Sequence, residues 1–378
     1  MIFHAPTRIV FGSGASAQVK AEAERAGSDD RPLVVTDKGI VAAGLAEKIL
    51  APFPRALVFD EVEANPRHAT VDRAGELART AKPRLVIGLG GGSALDAAKA
   101  VALLATNPGG IEDYEGRGKY AVPPLPVLAI PTTCGTGSEV TWVAVITHTG
   151  RKFKMSIKGP AMYPAVAVVD PDLLRSLPAS LVASTGMDAL THAVEAYTVK
   201  SASSITDIFA RDAVRLILSS LSGAFSDIKA NTEARERLML GSLTAGLAFG
   251  NSDVGAVHCL AESVGSMFDT PHGVANAVFL PHVMEFNLGA VGSRYADLAR
   301  LAGIEEEEDR RAAQKLVARV KDLSRMLGIP SFKSLNIPES AFSEIAEKSF
   351  QNNSNPSNVK DFGVADYLGI LRRAGESR

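Results

Sequence analysis

The chain has 378 residues, 46% of them hydrophobic, with 40 lysines and arginines against 42 aspartates and glutamates. This length and composition allow two or three packed domains and exclude a disordered chain, and the near-balanced charge argues against a nucleic-acid or membrane-surface partner. Only two cysteines, Cys134 and Cys259, are present, which points to a reducing, cytoplasmic compartment rather than a disulfide-stapled secreted protein. The start, Met1-Ile-Phe-His-Ala-Pro6, has no basic segment followed by an apolar run, so no signal peptide is expected. No apolar stretch approaching the ~20 residues of a membrane span is read either.

In chain order, Leu33–Asp37, Leu57–Asp60, Leu85–Gly88, Val127–Pro131 and Val166–Asp170 read as strands. Their apolar character is continuous rather than alternating, as in parallel strands covered on both faces. Helical patterns fall between several of them, over Gly39–Leu50, Ala69–Ala81 and Ala94–Leu104. This order predicts βαβ units and a mostly parallel sheet. A hairpin is expected over Val143–Ile157, turning near Thr149-Gly150. After Pro171 strand-like runs disappear. The repeat of Leu316, Val317, Val320, Leu323 and Leu327 predicts a helix stopped by Gly328-Ile-Pro330, and the acidic run Glu305–Asp309 reads as its start. The expected division is an α/β domain over residues 1–177 and an all-helical domain over 178–378, with a cleft between them.

Two loops carry the first chemical signal. Gly88-Leu-Gly-Gly-Gly-Ser93 joins a predicted strand to a predicted helix, where glycines allow a phosphate to approach backbone N–H groups at the helix start. By itself this is a weak motif, because tight strand-to-helix turns commonly contain glycine. Pro131-Thr-Thr-Cys-Gly-Thr-Gly-Ser138 follows another strand and is rich in glycine and hydroxyls. Two such loops at strand C-termini would face one crevice. Asp37 could accept hydrogen bonds from an adenosine ribose and so favour NAD over NADP. It precedes the glycines, unlike the acid of the usual fingerprint, and taken by itself reads rather as a plain helix N-cap.

The second signal is a donor set. Asp188 and His192, four apart in Gly186-Met-Asp-Ala-Leu-Thr-His192, share a helix face. His258 and His272 lie further on, the latter in Thr270-Pro-His-Gly273. One carboxylate and three imidazoles suit Zn²⁺, Fe²⁺ or a similar divalent ion. Each taken singly reads as a structural residue or surface pair. Together, in an apolar helical half, they need a shared partner. His4, His68, His148 and His282 have no comparable setting. A metal beside a dinucleotide suits hydride transfer, because it stabilises charge on the substrate oxygen.

These residues resemble the iron-containing alcohol dehydrogenase family over nearly the whole chain. The resemblance is carried by Phe11-Gly-Ser-Gly14, Asn65-Pro66, Gly90-Gly-Gly-Ser93, Pro131–Thr141, Gly186–His192 and His258 through Pro271-His-Gly273. It implies a Rossmann-like N-terminal domain, a helical C-terminal domain, and hydride exchange between NAD(H) and a small alcohol, aldehyde or ketone. It also implies that Asp188, His192, His258 and His272 bind the metal, usually Fe²⁺ and sometimes Zn²⁺. Asp37 would meet the adenosine ribose, Asn65 would lie beside the cofactor, and Gly91, Gly92 and Ser93 would hold the pyrophosphate. Thr132, Thr133 and Thr136 would line the cofactor crevice, and Lys152 would reach a ribose. A homodimer or larger homo-oligomer is implied as well. No catalytic proton-transfer residue is assigned. Where many relatives carry a second histidine, this chain has Glu262, one helical turn after His258; it reads as a proton acceptor, a metal-tuning group, a substrate contact or a plain salt-bridge partner. Two alternatives remain open: an NAD- and metal-using lyase like dehydroquinate synthase, and a non-catalytic nucleotide-binding protein. No basic cluster for a phosphorylated lyase substrate surrounds His258–His272, and all four donors are present, which disfavours both.

Overall fold

Short runs of branched apolar residues supply the strands of the first half of the molecule, a computed structural model that describes residues 2–28 and 30–376. The strands are β1 (Arg8–Phe11), β2 (Leu33–Val35), β3 (Leu57–Phe59), β4 (Val86–Gly90), β5 (Gly116–Arg117), β6 (Val127–Pro131), β7 (Val143–His148), β8 (Phe153–Lys158) and β9 (Val166–Val169). Among the described residues six of them form a parallel sheet in the order β1-β9-β6-β4-β2-β3. Every residue of β2, β4, β6 and β9 is buried, which is why their sequences show no alternation. The other three make a small sheet, with β7 and β8 antiparallel.

Successive residues of each strand serve opposite cores. Val34, Ile87, Leu128 and Val168 pack with α1 (Val19–Arg25) and α3 (Leu45–Leu50). Leu33, Val35 and Val86 pack with α4 (His68–Ala81) and α5 (Gly92–Leu104). Helices on both faces make the sheet doubly wound. From β2 the chain steps to β3 on one side and then returns to β4 on the other. The C-terminal ends of β2 and β4 therefore flank the switch point, where doubly wound sheets bind ligands.

Two expectations are corrected here. The predicted single helix Gly39–Leu50 is two helices, α2 (Lys38–Ala42) and α3, because Gly44 sits at φ 72° and breaks the ladder. Strand β1 was not anticipated. It is an edge strand of four residues with only Val10 buried, too short and too exposed to leave an apolar run.

The remaining helices are α6 (Ala179–Thr198), α7 (Ser204–Asp227), α8 (Thr232–Phe249), α9 (Ala256–Phe268), α10 (His272–Leu301), α11 (Asp309–Met326), α12 (Phe342–Gln351) and α13 (Val364–Glu376). Residues 5–177 form one compact unit, and residue 178 onward, with the N-terminal segment, forms a second. Helix α6 is the buried centre of the helical unit, exposed mainly in its first turn, and α7, α8 and α10 pack against it. Helix α10 spans 30 residues and is apolar enough to cross a membrane by length and composition, but most of it is buried within the helical unit and it bends at Val291. Its apolar residues are core residues, interrupted by the buried Asn276 and Asn287.

Candidate active site

Three helices supply one cluster. Asp188 and His192 stand one turn apart on α6, His258 lies in the first turn of α9, and His272 is the first residue of α10. One donor atom from each lies within 4.8 Å of all the others. Asp188, His192 and His258 are at most 4% exposed, while the His272 side chain keeps 27% of its surface and marks the open side. The Nε2 atoms of His192 and His258 are 3.0 Å apart, and His272 Nε2 is 3.7 Å from Asp188 Oδ1. Two bonds of ~2.1 Å span at most ~4.2 Å, so shifts of a few tenths of an ångström would seat all four donors on one ion. Phe249 stacks on His192 at 4.2 Å between ring centroids and closes one wall.

Burial opposes ionisation of Asp188, yet His192, His272 and His258 around it, with a hydrogen bond from Asn276, hold its pKa below the ordinary carboxylate value. Burial likewise opposes a charged His258, but the hydrogen bond and charge of Glu195, with Asp188 and Glu262, hold its pKa above the usual imidazole value. Two of these neighbours were missed in the sequence. Glu195 lies three residues after His192 on the same face of α6, a spacing that could have revealed it. Asn276 lies four residues after His272, and its Nδ2 donates to Asp188 Oδ1 at 2.6 Å. Glu262 Oε2 accepts from Asn352 Nδ2 at 2.6 Å. The other histidines are scattered, though His68 and His148 stack at 4.4 Å and His148 also meets Glu112.

The second group of candidates lies in the α/β unit, at the ends of three adjacent strands. Asp37 follows β2, Gly91–Ser93 follow β4 and open α5, and Thr132, Thr133 and Thr136 follow β6. They are close-packed. A Cβ added to Gly92 would lie 2.5 Å from Thr136 Cγ2, one on Gly91 would lie 3.2 Å from Thr133 Cγ2, and one on Gly90 would lie 3.3 Å from Asp37 Oδ2. The glycines are needed because the second loop occupies the space where side chains would go. Asp37 Oδ1 also caps α2, accepting from Ile40 N at 3.0 Å. Asn65 sits at φ 55°, and its Oδ1 accepts from Lys154 Nζ at 3.0 Å. Lys152 is placed in the β7–β8 turn at φ 46°.

An ion pair on α5 holds the second loop against that helix. Lys99 Nζ on α5 donates to Ser138 O at 3.1 Å and to Val143 O, and lies 3.1 Å from Asp96 Oδ1. Ser138 Oγ donates to the same carboxylate at 2.6 Å. Helical spacing could have revealed the pairing of Lys99 with Asp96, but not its two carbonyl partners, which lie 39 and 44 residues on.

Comparison with known proteins shows the family. The model of iron-containing alcohol dehydrogenases matches residues 6–171, and that of the C-terminal region of the Fe-containing alcohol dehydrogenase family matches residues 182–375. The NAD-dependent methanol dehydrogenase of Bacillus methanolicus is 35% identical, covering 98% of this chain and 99% of its own. The 1,3-propanediol dehydrogenase of Klebsiella pneumoniae is 38% identical, covering 96% of each. The crystal structure of a 1,3-propanediol oxidoreductase superposes with a TM-score of 0.94 at 37% identity, covering 99% of this chain and 100% of that one. A doubly wound sheet with glycine loops and a helical unit with an Asp-His₃ cluster define a metal-dependent dehydrogenase. The chain belongs to the iron-containing alcohol dehydrogenase family. It is an oxidoreductase that exchanges a hydride between NAD(H) and a small alcohol, aldehyde or ketone, and the lyase and the non-catalytic alternatives receive no support.

Proposed function

We propose that Asp188, His192, His258 and His272 hold one divalent ion, Fe²⁺ in preference to Zn²⁺, and that the loops of the α/β unit hold NAD. The carrying observation is charge balance in the helical cluster. Among the described residues, Asp188 and Glu195 are buried carboxylates whose only ion pairs are with imidazoles. Two carboxylates held in an apolar interior with only imidazole partners are costly, and a doubly charged cation offsets their charge. Such an ion, when bound, acts as a Lewis acid that stabilises negative charge developing on the substrate oxygen. The donor types suit iron and zinc alike, and the family favours iron.

The N–H groups of Gly91, Gly92 and Ser93, at the start of α5, take the pyrophosphate, where the helix dipole favours an anion. Thr132, Thr133 and Thr136 offer hydroxyls beside them. Asp37 turns a carboxylate oxygen toward Gly90 and disfavours a 2′-phosphate by charge. Asn65 and Lys152 complete the set of cofactor contacts. The working form is a homo-oligomer, a dimer or larger; this reading is supported by the open edge of β1, where Ile9 and Phe11 are more than a third exposed. Two buried cysteines and near-balanced charge support a cytoplasmic enzyme of small molecules, without nucleic-acid or membrane partners.

The experiment is a panel of alcohols and aldehydes followed by NADH absorbance after anaerobic reconstitution with Fe²⁺ or Zn²⁺. Turnover of at least one substrate class is expected only with metal and NAD present. Equal turnover in metal-stripped protein would overturn the metal assignment, and stronger turnover with NADP would overturn the role given to Asp37.

A further inference from the structure

Glu195 is the second acidic side chain of α6, on the face that carries Asp188 and His192, and at 5% exposure it needs a reason to be buried. Its Oε1 accepts from the backbone N–H of Val257 at 2.8 Å, and its Oε2 lies 2.5 Å from Nδ1 of His258. Both partners belong to the first turn of α9, where backbone N–H groups have no partner within the helix. The carboxylate thus grips the same turn whose imidazole it meets. The approach is tight. A Cβ on Gly255, at the N-cap of α9, would lie 3.1 Å from Glu195 Oε1 and 2.9 Å from Asn358 Oδ1.

We propose that Glu195 is the positioning residue that makes His258 a metal ligand, by holding the imidazole proton on Nδ1 and leaving the Nε2 lone pair facing the donor cluster. A neutral imidazole carries one N–H, and the hydrogen bond at one nitrogen decides which nitrogen is free to ligate. His258 Nε2 faces His192 Nε2 and Asn276 Nδ2, inside the proposed site, so only the Nδ1–H form presents a donor there. A carboxylate behind a ligating imidazole also raises its basicity and fixes its ring. The proposal rests on the metal assignment above and adds a residue outside the four ligands.

Glutamine is the informative replacement. Two N–H donors face the two Glu195 oxygens, and a glutamine amide offers one oxygen and one NH₂. When the oxygen takes Val257 N–H, the NH₂ meets Nδ1 and drives the His258 proton to Nε2. The test is titration of wild-type protein, Glu195→Gln and Glu195→Asp with Co²⁺, read by its visible absorption. NADH fluorescence and far-UV circular dichroism serve as controls. Loss of the hydrogen-bond partner behind a ligating imidazole weakens metal affinity by about 10–100-fold, and that loss is expected for Glu195→Gln with NADH affinity unchanged, with Glu195→Asp falling between. A wild-type protein that binds no Co²⁺ would overturn the metal assignment and this proposal with it. Wild-type binding with equal binding by Glu195→Gln would overturn this proposal alone. A second measurement needs no variant: ¹⁵N-histidine NMR of the Zn²⁺-loaded wild type must show His258 protonated at Nδ1, and a proton on Nε2 refutes the assignment.

Discussion

Substituting Gly273 by alanine tests the geometry that brings His272 to Asp188. Gly273 is the second residue of α10, and a Cβ there would lie 2.7 Å from the backbone oxygen of Ser184, 3.0 Å from its carbonyl carbon and 3.5 Å from Asp188 Cβ. Comfortable contacts begin near ~3.5 Å, so α10 must retreat from α6 by roughly 0.8 Å, and a backbone atom cannot swing aside as a side chain would. Overpacking of this kind costs about 1–3 kcal/mol, which lowers the melting temperature of a unit this size by roughly 2–12 °C. The retreat also carries His272 away from Asp188, whereas metal bonds tolerate only about 0.2 Å. Co²⁺ affinity is expected to fall about tenfold or more, a loss of ~1.4 kcal/mol or greater, while NADH affinity is unchanged. Differential scanning fluorimetry and Co²⁺ titration measure the two effects. A variant with wild-type melting temperature and wild-type Co²⁺ affinity would refute the idea that close approach of α10 to α6 builds the cluster.

Gly92→Ala places a methyl group against Thr136 and is expected to weaken NADH binding about 10- to 100-fold at an overpacking cost of ~1–3 kcal/mol; Thr136→Ser in the same protein removes the Cγ2 at 2.5 Å and should recover part of the loss, measured by NADH fluorescence titration. Asp37→Gly is expected to shift preference from NAD toward NADP in kcat/KM ratios, and to cost only about 0.3 kcal/mol through the lost cap on Ile40 N, because glycine is itself tolerated at that position; an unmoved cofactor ratio leaves Asp37 as a cap alone. Burial pushes the Glu139 carboxyl up to about 7 from an ordinary 4.5, against the pull of its own backbone amide and Lys99. The folded state then holds a proton that the unfolded state has released, so stability falls as pH rises from about 4.5 to about 7 and levels above that. Melting temperatures across this window should slope downward in the wild type and less so in Glu139→Gln; parallel slopes would exclude Glu139 as the source.

Much was written in local sequence. Continuous apolar runs placed β2, β4, β6 and β9, because a strand covered on both faces cannot alternate. Glycines after two of those runs marked the loops, and the four-residue step from Asp188 to His192 marked a helix face. These are short-range signals, set by backbone geometry within a few residues. The tertiary structure decided the rest. It split Gly39–Leu50 at Gly44, where a left-handed residue outweighs apolar spacing, and made a strand of the half-exposed Arg8–Phe11 because β9 supplies its hydrogen-bond partners. Only packing of α6, α9 and α10 brings His258 and His272 to Asp188. Only that packing sets Glu195 behind His258 across 63 residues of chain, and Lys99 against Ser138 across 39. Such contacts form between surfaces buried together, and no periodicity along one element encodes which distant surface it will meet.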